Sequence, residues 1–155
     1  MTGISSLVVA VDVARRRRDD AGLVLAQVLR RQESAQGQFE QLRSYATETE
    51  MRWSVSAQSS VAPQIVSHYY QFIERLEQTI GLQQGVIADL DRQYQLAKQV
   101  LVDAELRVAG LNRLLEKRRS TLALAAARRD QKSSDELAAQ QLRRNATELE
   151  ARENP

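Results

Sequence analysis

Steps of four and three residues, taken alternately from Leu7, fall on Leu7, Val11, Ala14, Arg18, Ala21, Leu25, Val28, Gln32, Ala35, Phe39, Leu42, Ala46, Thr49 and Trp53. Only Arg18, Gln32 and Thr49 in that row are not apolar. A second row runs from Tyr69 through Ile73, Leu76, Ile80, Gln83, Ile87, Leu90, Tyr94, Ala97, Leu101, Ala104, Val108, Leu111, Leu115, Arg118 and Leu122 to Ala125, broken only by Gln83 and Arg118. Such rows are the inward a and d positions of coiled-coil helices, because 3.5 residues per repeat keep one stripe facing a partner helix. Few sequence signals limit the possible folds more tightly.

Between the rows lies SVSAQSSVAP, residues 54–63, which cannot extend either seam. Its serines compete for backbone hydrogen bonds, and Pro63 lacks a donor and restricts the residue before it. A connection this short lets the second helix fold straight back on the first. The predicted fold is therefore all-α: an antiparallel two-helix coiled-coil hairpin with an overhanging C-terminal helix. The expected layout is a single coiled-coil domain over 1–155. It has a helix over about 4–53, a linker over 54–65, a helix over about 66–128 and a solvated tail over 129–155.

The register follows from the turn. With Trp53 opposite Tyr69, facing residue numbers sum to roughly 122, and Leu7 meets Leu115. Beyond that point the second helix has no partner, and the series turns charged there, at Arg129, Lys132 and Glu136. At about 1.5 Å per residue, a first helix of about 50 residues predicts a rod on the order of 70 Å long.

Composition closes off most chemistry. The 155 residues contain no cysteine, which excludes disulfides and thiolate metal sites. His68, the only histidine, has no metal-site spacing around it, so a solvated or helix-start role is expected of it rather than catalysis. Gly81, Gly85 and Gly110 stand singly inside helical pattern and form no phosphate loop. A two-helix hairpin also lacks a concave pocket of substrate size. No enzyme activity, cofactor or metal is expected. The apolar run Ile4 to Ala14 is too short to span a bilayer, and the basic run follows it rather than precedes it, unlike a signal peptide. A cytoplasmic chain without direct membrane insertion is the expectation.

Charge is unevenly placed, although the net charge is only +2. Arg15 to Arg18 and the cluster Arg113, Lys117, Arg118 and Arg119 fall at the end where the termini meet, and glutamates prevail near the turn. Solvated helix faces explain such unevenness as readily as a docking collar does. Nucleic-acid binding is not expected, because no groove-reading fold accompanies the cluster.

At FIERLEQTIGLQQ the sequence resembles the flagellar FliJ family, whose F-x-x-R-L-E-x-x-I-x-x-Q signature is matched by Phe72, Arg75, Leu76, Glu77, Ile80 and Gln83. QLRSY (41–45) is similar to that family's Q-L-x-x-Y, and LNRLLEKRR (111–119) to its L-x-x-L-x-x-R-R segment. RDQKSSDELAAQ (129–140) resembles its E-Q-K-x-x-D-E-x-A-x-R stretch, with Asp130 and Gln140 departing from the usual Glu and Arg.

The resemblance implies a central-stalk-like component of the flagellar type III export apparatus, located in the cytoplasm and peripherally at the cytoplasmic face of the inner membrane. Its implied partners are a FliI-like export ATPase ring, a FlhA-like export gate protein and unloaded export chaperones. A stalk protein of a virulence type III secretion system has the same shape, and a structural coiled-coil spacer or chaperone without an ATPase partner is the rival of another class.

Phe72 and Tyr45 lie off both seams and near the same end of the hairpin, so their rings are expected on its flank. There Gln38, Leu42, Tyr45, Phe72 and Leu76 form the candidate gate-facing patch; alternatively the rings only widen the core. At such off-seam positions, truncation to Ala is expected to cost less than about 0.5 kcal/mol. The candidate ATPase-facing residues are Arg15, Arg16, Arg113, Lys117 and Arg119.

Overall fold

A computed structural model describes residues 2–56 and 61–154, with no account of the Thr2 side chain. It contains two helices, α1 (Thr2–Ser56) and α2 (Pro63–Glu153), packed against each other, and no strand among the described residues. The fold is the expected all-α helical hairpin.

Both helices overrun their seams. The linker expected over 54–65 is helical up to Ser56 and again from Pro63, and residues 57–60 lie outside the described residues. The Ser54 hydroxyl donates to the Glu50 carbonyl at 3.1 Å, so its competing hydrogen bond is satisfied inside the helix. Pro63 takes the first helical position, where its missing N–H is no loss. The carbonyl just before it, on Ala62, accepts from Ile65 N–H at 3.0 Å and from Val66 N–H at 3.3 Å. At the other end α2 runs on to Glu153 as an overhanging helix through the solvated tail.

The chain divides into two compact units, Ala14–Leu106 and Met1–Val13 with Arg107–Pro155. In the first, Ala14, Ala21, Val28 and Ala35 of α1 are buried, as are Leu76, Leu90 and Ala97 of α2. Trp53 stacks on Tyr69 with centroids 4.1 Å apart and planes 7° off parallel, which is the pairing the summed numbering required. That register sets Ala21 level with Leu101, Ala35 with Ile87 and Ala97 with Leu25, so small residues meet large ones and the helices fill the space between them.

The polar seam residues have partners. The Gln83 side-chain amide donates to the Ala35 carbonyl at 2.9 Å and to Gln38 Oε1 at 3.2 Å. Gln32 Nε2 donates to Asp91 Oδ1.

In the second unit Val11, Val108 and Leu115 are buried. A Cβ built on Gly3 would stand 2.8 Å from the Arg118 guanidinium, so the start of α1 lies against α2 at the seam position where the apolar row breaks. Past Leu115 every described residue of α2 is exposed except Ala139, which is half-buried. No helix among the described residues is long and apolar enough to cross a membrane.

Candidate partner-binding site

The unit Ala14–Leu106 carries an aromatic group near the turn. Tyr45 and Phe72 meet edge to face, with centroids 5.9 Å apart and planes at 84°. They keep half and 39% of their surfaces open respectively. Both sit one residue before a seam position, Ala46 and Ile73, and in an antiparallel pair those flanking rows face each other across the two helices. The edge-to-face geometry sets the positive rim of one ring against the negative face of the other and leaves part of both rings to solvent.

Behind the rings, Leu42 is half-buried and Leu76 is only 8% exposed. Leu76 is thus a core residue one turn from Phe72 and offers little surface of its own. Gln38 is exposed and held by the Gln83 amide. Gln38, Gln41, Leu42, Tyr45 and Gln83 line a shallow groove beside Tyr45. A second hollow on the other side of Tyr45 is lined by Gly37, Glu40, Gln41, Ser44 and Glu48. The Tyr45 ring is therefore a ridge between two depressions, one with an apolar wall and one bordered by carboxylates. Nearby, the Arg43 guanidinium lies 5.8 Å from the centre of the Phe39 ring.

Closer to the turn, Tyr70 packs edge-on to Tyr69 at 5.7 Å and stays 64% exposed. The Tyr69 hydroxyl has its pKa raised, first by burial, then by the Glu50 carboxylate and by Tyr70. His68 is exposed on the opening turns of α2.

The basic candidates are divided between the units. Arg15 and Arg16 are exposed on α1 in the first, and Arg113, Lys117 and Arg119 are exposed on α2 in the second. None of the five makes an ion pair among the described residues, where the only pairs are Arg18 with Asp19 and Arg92 with Asp89. Arg118 lines a hollow with Gly3, Ile4, Thr121 and Leu122.

One group lay outside the seam-based reading. Leu82, Val86, Leu96 and Val100 are 74%, 45%, 68% and 58% exposed, too many large apolar side chains for a simple solvated face. In the sequence they recur as Leu–Val pairs fourteen residues apart, with Asp89 and Gln93 between them.

Among the described residues no three His, Cys, Asp or Glu side chains converge as metal ligands. What the described residues present is an aromatic ridge, exposed apolar side chains and arginines without ion pairs.

No curated protein and no solved structure matches the chain. A family model described as Flagellar FliJ protein does match it, over residues 4–147, which takes in both helices and the aromatic group. The chain belongs to the flagellar FliJ family and is related to flagellar type III export.

Proposed function

We propose that this protein is a central-stalk-like component of the flagellar type III export apparatus that joins an export ATPase ring to the export gate. It acts in the cytoplasm, peripherally at the inner membrane, and also escorts unloaded export chaperones. The observation that carries the reading is the Tyr45–Phe72 pair. Two half-open rings in mutual contact across two helices make a rigid aromatic anchor of the kind that dominates interface energetics. In this reading the ridge docks on a FlhA-like gate protein, with Gln38 and Leu42 as its border and Leu76 holding it from beneath. The unpaired cations Arg15, Arg16, Arg113, Lys117 and Arg119 engage acidic groups of a FliI-like ATPase ring, an attraction that falls as salt screens it.

Two assays on the same variants test the division of labour. Charge reversal at Arg113, Lys117 and Arg119 to Glu is expected to lower stimulation of ATP hydrolysis, more at low salt than at moderate salt, and to leave gate pull-down intact. Tyr45→Ala with Phe72→Ala is expected to do the opposite. Full stimulation by the charge-reversed protein at both salts would reduce those cations to a solvated face. Loss of gate binding in that variant would reverse the assignment of the two ends.

A further inference from the structure

We infer that one flank of the hairpin, within Ala14–Leu106, is built to receive an acidic amphipathic helix of a partner protein. The contact between Tyr45 and Phe72 identifies that flank, because each ring belongs to a row that recurs every seven residues along its helix, one place before a seam position. Seven residues are two turns of a supercoiled helix, so members of a row point the same way. On α2 the row is Phe72, Thr79, Val86, Gln93 and Val100; on α1 it is Tyr45, Gln38, Arg31, Val24 and Arg17. The numbering of Tyr45 with Phe72 carries over unchanged, setting Arg31 beside Val86 and Arg17 beside Val100. One turn before each valine stands an exposed leucine, Leu82 at 74% and Leu96 at 68%.

The flank therefore shows the same module twice: an exposed Leu–Val pair on α2, with an arginine level with it on α1. Arg17 and Arg31 are exposed and make no ion pair among the described residues. Between the modules the α2 positions are polar, Asp89 and Gln93, and Asp89 is already paired with Arg92. A single helix laid along this side meets apolar surface, then a polar interval, then apolar surface, with two unneutralised cations along one edge.

Its recognisable features follow. It needs an apolar stripe of coiled-coil period and carboxylates on the side that faces α1. From Leu82 to Val100 the site measures about 27 Å, so the occupant is a helix of roughly 20 residues or more. Neither Tyr45 nor Phe72 has to take part, so the site is separate from the proposed gate contact.

The full chain contains no cysteine, which allows single-site labelling. Val86→Cys and, on the opposite flank, Gln36→Cys are each labelled with an environment-sensitive dye. They are titrated with a synthetic helical peptide of four heptads carrying Leu at its a and d positions and Glu at the flanking ones. A matched peptide with Lys in place of Glu is the comparison. The expected result is a blue shift at position 86 and none at 36, with the Lys peptide binding at least about tenfold more weakly. Arg17→Glu with Arg31→Glu is expected to remove that preference, and Val100→Glu to abolish the shift at 86.

Equal response at both labels, or equal affinity for the two peptides, would overturn the proposal. So would a duplex DNA oligonucleotide that competes with the acidic peptide through Arg17 and Arg31, because the flank would then be a phosphate-binding edge. Light scattering is the remaining arm: a stable dimer that protects the dye at position 86 would show that a second copy is the occupant and refute an acidic partner helix.

Discussion

Truncating Phe72 separates a docking residue from a core residue, and the structure changes the size of the effect expected from sequence alone. At 39% exposure the ring is covered over roughly six-tenths of its surface. A fully buried aromatic side chain covers about 150–250 Å², so the cover here is on the order of 120 Å². At about 25 cal/mol per Å² that bounds the burial term near 3 kcal/mol, and the compactness of real unfolded chains lowers it. Phe72→Ala is therefore expected to cost about 1–2 kcal/mol, above the surface-like figure that the off-seam position implies. Part of this is shared with Tyr45, because an edge-to-face pair adds about 0.5–1.5 kcal/mol beyond area. The assay is a double-mutant cycle: wild type, Tyr45→Ala, Phe72→Ala and the double variant, unfolded in urea and followed by far-ultraviolet circular dichroism. A coupling below about 0.3 kcal/mol, within the usual error of additivity, would mean the rings do not meet in solution. A cost above about 3 kcal/mol for Phe72→Ala alone would make it a core side chain and remove it from the docking surface.

Two further outcomes follow from the same geometry. Nothing lies within 4 Å of a Cβ built on Gly85, and the residue is helical, so Gly85→Ala is expected to stabilise by about 0.5–1 kcal/mol in thermal or urea unfolding; a loss of stability would contradict an open site there. For Tyr69, a folded-state pKa above the ordinary 10.0 means that the stability held by the neutral phenol is intact below about pH 10 and is lost as pH rises through the folded value. Tyr69→Phe should therefore gain on wild type in melting temperature above about pH 10, and parallel curves would show that the phenol is not the group responsible.

The seams were legible because burial in a two-helix fold has one period and little else to obey. Every position of the first row from Leu7 to Trp53 is buried or half-buried, and the second row holds from Tyr69 to Leu115 before it opens at Arg118. The polar exceptions Gln32 and Gln83 did not break the register, because each found a hydrogen-bond acceptor on the neighbouring helix. Helix ends were less legible. Ser54 and Pro63 read as breakers, yet a serine that bonds back to the preceding turn and a proline at a first helical position both fit inside helices. The overhang of α2 to Glu153, expected as a solvated helix, has no seam; local propensity of Ala, Leu, Gln, Arg and Glu carries it.

At the candidate site, the off-seam phase of Tyr45 and Phe72 was enough to place them on one flank. Their mutual contact was not readable, because it depends on the stagger of the two helices and on rotamers. The double module at Leu82–Val86 and Leu96–Val100 escaped for a related reason. A single-row reading assigns each residue to inside or outside, and these valines belong to an outside that only the Tyr45–Phe72 contact orients.

The segment of α2 beyond Leu115 has a different kind of order from the rest of its helix. Its amides are held by bonds within the segment and by almost no side-chain burial. Its helix–coil balance is therefore local: it opens turn by turn, from the C-terminal end inward, without waiting for the seam to open. A melting curve followed by helicity therefore shows this stretch as a gradual loss of signal ahead of the cooperative opening of the seam. Any partner that grips it thus selects from a mixture of helix lengths and shifts that mixture toward the full helix, so part of its binding free energy is spent extending order along the chain.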